Sequence, residues 1–383
     1  MPHENTVLRD LLKHIPWGAV DRLVDEHDAD RRVRRLSTKS QLVALIYGQL
    51  SGAASLREIE TALASHSAKL YHLGADAIRR TTLADANAKR PPEVFSGLFA
   101  HLIAQAEPGL RRKVREVVRL IDATSLKLNA LSNWAKFSSG FFSAKLHVVY
   151  DPDIDCPLYF AVTPANVNDI TPAKAMPIDP QATYVFDLGY YDFAWWAALD
   201  AAGCRIVTRL KSNTPLAIVV ENDVPKGQGA ILSDRIGHLP QRLSYSRKNP
   251  FHDPVREILI RIETGKVLRL ITNDLDADAQ AIADLYKKRW QVELFFRWVK
   301  QVLKIKHFLG TSENAVRIQI AAALIAFVLL RIAQATQCIV TSSLTFARLI
   351  RANLMHRRTI GRMLDPDRPR EKHPQMNFGF LPC

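Results

Sequence analysis

Apolar positions recur at helical spacing through roughly the first 110 residues, and strand-like alternation is scarce there. The pattern predicts an all-helical segment. One helix spans about Lys39 to Leu50, and a turn at Gly52 separates it from a second that opens on Ser55-Leu56-Arg57-Glu58. That tetrad is a capping box, in which the Ser side chain and the Glu carboxylate satisfy otherwise orphaned amides. Thr82-Leu83-Ala84-Asp85 predicts another start of the same kind. From Val114 the texture changes. Val114–Ile121, Ala144–Tyr150 and Pro157–Val162 are short β-rich runs parted by turn material, as three meandering strands are. Tyr184-Val185-Phe186, a helix from Phe193 to Ala202 and a strand from Arg205 to Leu210 follow. Val255–Ile262 and Lys266–Thr272 then flank Glu263-Thr264-Gly265, a hairpin signal, with Gly, Pro and basic residues filling the approach from Pro225 to Pro254. A long helix is predicted from about Ala279 to Lys304, another capped near Ser312, and a third from about Leu344; the polar, Pro-containing tail from Asp365 predicts disorder. The longest apolar run, Ile320–Leu330, ends at Arg331. It is well short of the roughly 20 residues that span a bilayer, so it predicts a buried helix.

Three strands followed by alternating strand and helix is the order of an RNase H-like domain. The expected class is therefore α/β: an RNase H-like mixed sheet with flanking helices, interrupted by a β-rich insertion and preceded by an all-helical domain. The expected boundaries are 1–110 for that helical domain, 111–210 for the first part of the core and 211–270 for the insertion. The second part of the core follows at 271–335, and a helical C-terminal region with its tail at 336–383.

A chain of 383 residues has room for two or three such units. Charge changes the picture further: 52 Lys and Arg against 38 Asp and Glu leave a net +14. An excess of that size points to a polyanion, because cations that neutralise phosphates release condensed counterions. A basic protein with no such partner is the alternative. Arg31, Arg32, Arg34 and Arg35 precede the first helix pair, which reads either as a helix-turn-helix DNA reader or as an ordinary pair of helices. Arg348, Arg351, Arg357, Arg358 and Arg362 read equally as DNA contacts or as a solvated face. Cys156, Cys204, Cys338 and Cys383 form no CxxC pair, which predicts neither disulfides nor zinc and fits a reducing cytoplasm. The polar start Met1-Pro2-His3-Glu4-Asn5 does not read as a signal peptide, and no membrane partner is expected.

Candidate chemistry concentrates in Leu285-Tyr286-Lys287-Lys288-Arg289-Trp290-Gln291-Val292-Glu293-Leu294-Phe295-Phe296-Arg297-Trp298-Val299-Lys300. At about 100° per residue, Tyr286, Arg289, Glu293 and Lys300 fall within an arc of roughly 60°. Leu285, Val292, Phe296, Val299 and Leu303 occupy a separate arc beside it. One stripe can pack on a sheet while the next presents a carboxylate among cations and a phenol; an amphipathic helix with incidental charges is the alternative. The spacing of Tyr286, Arg289, Glu293 and Lys300 resembles, position for position, the Y-R-E-K signature of the insertion-sequence four family of DDE transposases. The resemblance implies that Glu293 is a metal ligand and that Tyr286, Arg289 and Lys300 contact transposon-end DNA. It also implies two upstream aspartates. Leu120-Ile121-Asp122-Ala123-Thr124 supplies one on the first β-run, and Tyr184-Val185-Phe186-Asp187-Leu188-Gly189-Tyr190 supplies the other, ahead of a Gly turn.

Asp122, Asp187 and Glu293 are thus the expected catalytic residues and ligands of two Mg²⁺ ions, with Mn²⁺ as a substitute. Hard cations of this kind take carboxylate oxygens and keep waters. The stretch from Asp187 to Glu293 is longer than an uninterrupted fold needs, and the β-rich piece accounts for the excess, as in family members. The resemblance covers about residues 110–310, and the first 110 residues look like the small helical domain found in a subgroup. In one member a Trp of the insertion captures a flipped base. No Trp lies between Trp196 and Trp290 here, which leaves Tyr245 or Phe251 to stack.

The function so implied is cut-and-paste DNA transposition: binding of terminal inverted repeats in double-stranded DNA, metal-dependent cleavage, and strand transfer into target DNA. The family's route passes through a hairpin and a homodimeric synaptic complex, here in the bacterial cytoplasm at the nucleoid. A structure-specific nuclease and a catalytically inactive, transposase-derived DNA-binding protein are the rival readings. Three other features read as structural. Asp151-Pro152-Asp153-Ile154-Asp155 starts like a calcium loop, but Cys156 stands where a glycine is needed, which predicts a turn. Asp192 reads as the N-cap of the helix from Phe193, and His147 as a buried, hydrogen-bonded histidine.

Overall fold

The computed structural model describes residues 5–111, 116–224, 230–242, 248–303, 305 and 308–365. The tail beyond Asp365 and the candidate Tyr245 lie outside the described residues. Among the described residues, seven α-helices come first: α1 (Val7–Leu12), α2 (Trp17–Glu26), α3 (Thr38–Ser51), α4 (Leu56–Ser65), α5 (Ser67–Leu73), α6 (Arg80–Lys89) and α7 (Glu93–Leu110). The signal at Gly52 holds: α3 ends there in the left-handed region, at φ 76°. Ser55 Oγ accepts from the Glu58 amide at 3.1 Å, while the Glu58 carboxylate accepts from Ala54 N at 2.8 Å, one residue earlier than the box places it. The start expected at Thr82 is not one. Thr82 lies inside α6, which begins at Arg80 after Arg79 with no side-chain cap. The tetrad ends on Asp, a methylene shorter than the Glu or Gln that a capping box needs.

The strands are β1 (Val118–Lys127), β2 (Lys136–Ser138), β3 (Phe141–Asp151), β4 (Cys156–Pro164), β5 (Thr183–Val185), β6 (Arg205–Arg209), β7 (Ala217–Asn222), β8 (Ile231–His238), β9 (Val255–Arg261) and β10 (Val267–Thr272). β3 pairs antiparallel with both β1 and β4, and β5 pairs parallel with both β1 and β6. The order β4-β3-β1-β5-β6 is RNase H-like. β10 then adds antiparallel to β6, and β9, β8 and β7 continue outward. The β-rich piece is therefore not a detached module but a continuation of the sheet, because β10 satisfies the exposed edge of β6.

Side chains alternate across this sheet, and both faces are covered. Leu120, Val185 and Val207 point into one core; Ile121, Tyr184, Phe186 and Ile206 point into another, with α9 (Phe193–Ala201) against it. A short α8 (Ile170–Ala175) precedes β5. The helix expected over Ala279–Lys304 is two: α10 (Ala279–Lys288) and α11 (Trp290–Val302). They part at Arg289, whose amide reaches Tyr286 O at 3.1 Å and whose carbonyl takes Val292 N at 3.2 Å, both three-residue steps.

The chain continues as α12 (Glu313–Gln337), α13 (Ser343–Asn353) and α14 (Ile360–Leu364), with Ser312 Oγ capping α12 at Ala315 N, 3.2 Å away. α12 is long and apolar enough to cross a membrane, but most of it is buried in this chain. It packs on α3, α6, α7 and α13, so helices from both ends share one core with the sheet. Arg351 does not belong to a solvated face: its guanidinium donates to Leu50 O (2.9 Å) and Val302 O (2.5 Å), tying α13 to the ends of α3 and α11. The Asp151 segment forms the expected turn, with Oδ1 accepting from the amides of Asp153 and Ile154. Its Oδ2, fully buried, takes Arg119 at 2.5 Å and Arg111 at 2.6 Å, which joins the end of α7 to the sheet.

Candidate active site

Leu120 and Val185 are partners in the parallel pair of β1 and β5. Two residues further along each chain stand Asp122 and Asp187. The period of two directs both carboxylates to the face on which Leu120 and Val185 lie. Asp122 is still within β1, opposite Val148 of β3. Asp187 has left β5 and turns the chain, its Oδ1 accepting from Gly189 N at 2.8 Å. α11 packs on β1 on this same face through buried Val292, Phe296 and Val299, with Leu303 just beyond, as the apolar arc required. That packing brings Glu293, in the first turn of α11, to the two aspartates.

The three carboxylates, which come from distant segments, line one open cleft of about 480 Å³. Arg289, Arg297, Lys300 and Thr124 line it as well. Arg289 bridges two of the acids, its Nη1 donating to Asp122 Oδ2 at 2.9 Å and its Nη2 to Glu293 Oε1 at 2.5 Å. Lys300 Nζ donates to Thr124 Oγ1 at 2.5 Å. Tyr286 is not presented to the cleft: it is buried, with the Arg289 guanidinium 6.0 Å from its ring centroid. Burial pushes the Asp122 carboxyl up to about 6, against the pull of Arg289 and the Ala123 amide; the charges of Asp187 and Glu293 push it the same way. Among the described residues, no three acidic, histidine or cysteine side chains gather as placed to hold a metal ion. The donors are nonetheless all carboxylate oxygens facing one solvent-open space, a set that suits a hard divalent cation.

Several residues here escaped the reading of the sequence. Arg297 follows Glu293 by four residues on the same helix and was discoverable from periodicity. Asp169 had no local signal. It sits at the head of α8, and a Cβ on Gly189 would lie 3.3 Å from its Oδ2 and 3.0 Å from Asp187 Oδ1. Asp192 caps α9 through Trp195 N at 2.8 Å, as expected. His147 is buried with Nε2 2.9 Å from Thr163 Oγ1, again as expected. Phe251 cannot offer a stacking face as it stands, because it is buried in the core that holds α9.

The family described as "Transposase DDE domain" matches residues 114–329, and a domain of unknown function, DUF4372, matches residues 3–76. A putative transposase, y4zB, of Sinorhizobium fredii is 42% identical over 308 residues, which is 78% of this chain and 86% of that protein. A probable transposase for insertion sequence element IS5377 of Geobacillus stearothermophilus is 30% identical over 281 residues, 70% of this chain and 73% of its own length. Among solved structures, a piggyBac transposase synaptic complex with hairpin DNA, studied by cryo-EM, has a TM-score of 0.48 and 11% identity, covering 96% of this chain and 83% of that one. The matched domain contains β1, β5 and α11 with their three acids, and the chain belongs to the DDE transposases, in the group that resembles insertion sequence four.

Proposed function

We propose that this transposase binds the terminal inverted repeats of its element in double-stranded DNA and performs cut-and-paste strand cleavage and strand transfer at Asp122, Asp187 and Glu293. The observation that carries the reading is the meeting of these carboxylates, from three distant segments, in one open cleft edged by Arg289, Arg297 and Lys300. The acids would hold two Mg²⁺ ions, or Mn²⁺ in their place. When bound, such ions activate a water or 3′-hydroxyl and stabilise the leaving oxygen of an in-line displacement.

The side chains supply the rest. The planar fork of Arg289 matches a phosphate as well as it matches the carboxylates it now bridges, so it can pass from one to the other as DNA enters. Lys300, held at Thr124, and Arg297 flank the acids where the backbone of the scissile strand would run. Tyr286 acts by supporting Arg289 from beneath. The exposed Arg31, Arg32, Arg34 and Arg35 supply basic surface on the helical N-terminal part, which we assign to end recognition. A homodimer acting on nucleoid DNA in the cytoplasm completes the reading.

The test uses the purified full chain and DNA carrying the element's own ends. Cleavage is expected with Mg²⁺ or Mn²⁺ and absent in EDTA. Asp122→Asn, Asp187→Asn and Glu293→Gln should each lose it while retaining end binding, since charge stabilisation is lost at the reacting phosphate and not along the whole contact. Robust cleavage in EDTA overturns the mechanism. Tight end binding with no cleavage by the unaltered chain supports the inactive DNA-binding protein instead.

A further inference from the structure

Another basic recess, apart from the catalytic cleft, lies where the N-terminal helices meet the loop that leaves α11. It is an open cleft of about 510 Å³ between the starts of α4 and α6. Arg57, the second residue of α4, and Arg80, the first of α6, bring a guanidinium to it from each helix. Ser55 and Thr81 add hydroxyls, and the half-buried Phe308 and Leu309 give it an apolar side. Among the described residues, no acidic side chain lines it. Glu58, next to Arg57 in the chain, turns its carboxylate to Ala54 N at 2.8 Å. Arg57 and Arg80 are exposed, and neither guanidinium has a hydrogen-bond or ion-pair partner among the described residues.

Arginines that join elements elsewhere in this fold are neutralised: Arg90 by Asp30, Arg119 by Asp151, Arg256 by Asp234 and Arg289 by Asp122. Two guanidiniums from separate helices that share one recess without a carboxylate repel each other, and an anion within reach of both relieves the repulsion. The walls are fixed before any ligand arrives. α4 packs on α6 and α6 on α12, while Leu309 N donates to Gln319 Oε1 at 2.8 Å and so ties the loop to α12. Ser55 Oγ accepts from the Glu58 amide and keeps its own hydrogen to donate. Two planar forks and two hydroxyls suit the oxygens of a phosphate.

The recess adjoins the catalytic side of the molecule. Lys300 lines the catalytic cleft and Phe308 the recess, eight residues later. A stretch of that length spans at most about 29 Å, which is less than the roughly 34 Å of one turn of duplex. Trp134, which follows β1, donates its Nε1 hydrogen to Thr311 O at 3.1 Å, so the strand of Asp122 and the loop of Phe308 are joined a second time. We infer that Arg57 and Arg80 together hold one backbone phosphate of the element-end duplex, less than about one turn of DNA from the phosphate at the acids. The inference rests on the reading that Asp122, Asp187 and Glu293 receive the scissile strand. A phosphate contact of this kind sets where the duplex lies without reading its sequence.

Binding of the full chain to an element-end duplex about three turns long, in EDTA so that no cleavage intrudes, tests it. Arg57→Ala and Arg80→Ala are each expected to weaken binding about fivefold and to lower the salt dependence by about one phosphate contact. Random duplex of equal length should lose the same factor, because the contact carries no sequence information. Both side chains are exposed and unpaired, so melting temperatures should not move. On the element end, ethylation of individual phosphates maps the contact. Each variant should erase the sensitivity of the same phosphate, within about ten base pairs of the cleaved bond. An unchanged salt dependence in both variants overturns the inference. So does the loss of two different phosphates more than about a turn apart. If the unaltered chain binds its own end no better than random duplex, end recognition itself fails; the salt dependence on random duplex then still decides whether this pair of arginines holds a phosphate.

Discussion

Asp122 carries a charge that the metal-free fold resists. Burial favours its protonated form in the folded chain, whereas the unfolded chain ionises it near the ordinary 3.8. Stability is therefore spared this penalty below the ordinary range and bears it fully once the pH has risen through about 6. Asp122→Asn should raise the melting temperature in EDTA at pH 7.5 and keep only part of that advantage at pH 5, which lies between the unfolded and folded values. Arg289→Ala should do the reverse, since it strips a buried carboxylate of its partner; such losses run to about 3–5 kcal/mol. That loss should shrink at pH 5, where Asp122 is protonated. Melts of both variants at the two pH values check the pair, and shifts that ignore pH would sink the assignment. With DNA present, Arg289→Ala and Lys300→Ala are expected to weaken pre-cleaved ends more than random duplex. Each should also flatten the salt dependence by about one phosphate contact. Titrations at two salt concentrations decide it, and equal losses on both DNAs would make the cations mere surface charge. The meeting of the three acids was expected from the family resemblance carried by the Y-R-E-K spacing, which implies two aspartates upstream, each beside an apolar run. The grip of Arg289 on Asp122 was not, since it joins residues on separate elements.

Elements announced themselves where their ends are capped by their own side chains. Ser55, Asp192 and Ser312 each bond an amide three residues on, and all three starts were readable. The break at Arg289 was not, for Lys287-Lys288-Arg289-Trp290 contains neither Gly nor Pro. Seven strands followed from apolar runs, but β2, β7 and β8 were not among the runs named, and the partners of β10 did not follow either, because a hairpin signal names only the neighbour across its turn. The outer sheet has its own close contact: a Cβ on Gly237 of β8 would meet Ala217 O of β7 at 2.5 Å. Gly237→Ala should therefore push β7 from β8, destabilising by about 1–3 kcal/mol. Hydrogen exchange should show faster exchange in β7 with β1 and α12 unaltered. A β7 as protected as before would mean that the backbone absorbs the methyl group.

At the scale of the molecule, the two ends of the chain are one structure. Val7 N and Leu8 N donate to His356 O (3.1 Å) and Leu354 O (2.9 Å), Lys69 Nζ donates to Met355 O (2.8 Å), and Asp10 accepts from Ile360 N (2.9 Å). α3 is buried on nearly every side, with α12 and α13 among its neighbours. A fragment of residues 5–111 alone should consequently melt without cooperativity, and adding residues 308–365 in trans should restore a cooperative transition. Circular dichroism melts test this; a sharp transition of the first fragment alone would show that the N-terminal helices need no partner. The same arrangement joins the N-terminal helices, the C-terminal helices and the sheet in one shared core.

Periodicity, caps and turn residues carry the content of this fold, because each depends on neighbours a few residues away. The all-helical start, the three-strand opening of the core, the apolar stripe of α11 and the acids beside their strands were all open to that kind of reading. Which apolar face meets which lies beyond it. The stripe of α12 is equally consistent with a lone buried helix and with the keystone of both chain ends, and the exposed edge of β6 does not name β10. Asp169 meets the Gly189 turn only because the strands on either side of it pack together, and Arg289 turns to the carboxylates only once β1 lies beneath it. Contacts of that kind are set by the closing of long loops and the filling of a shared core, and residues so distant in the chain leave no pattern in each other's neighbourhood.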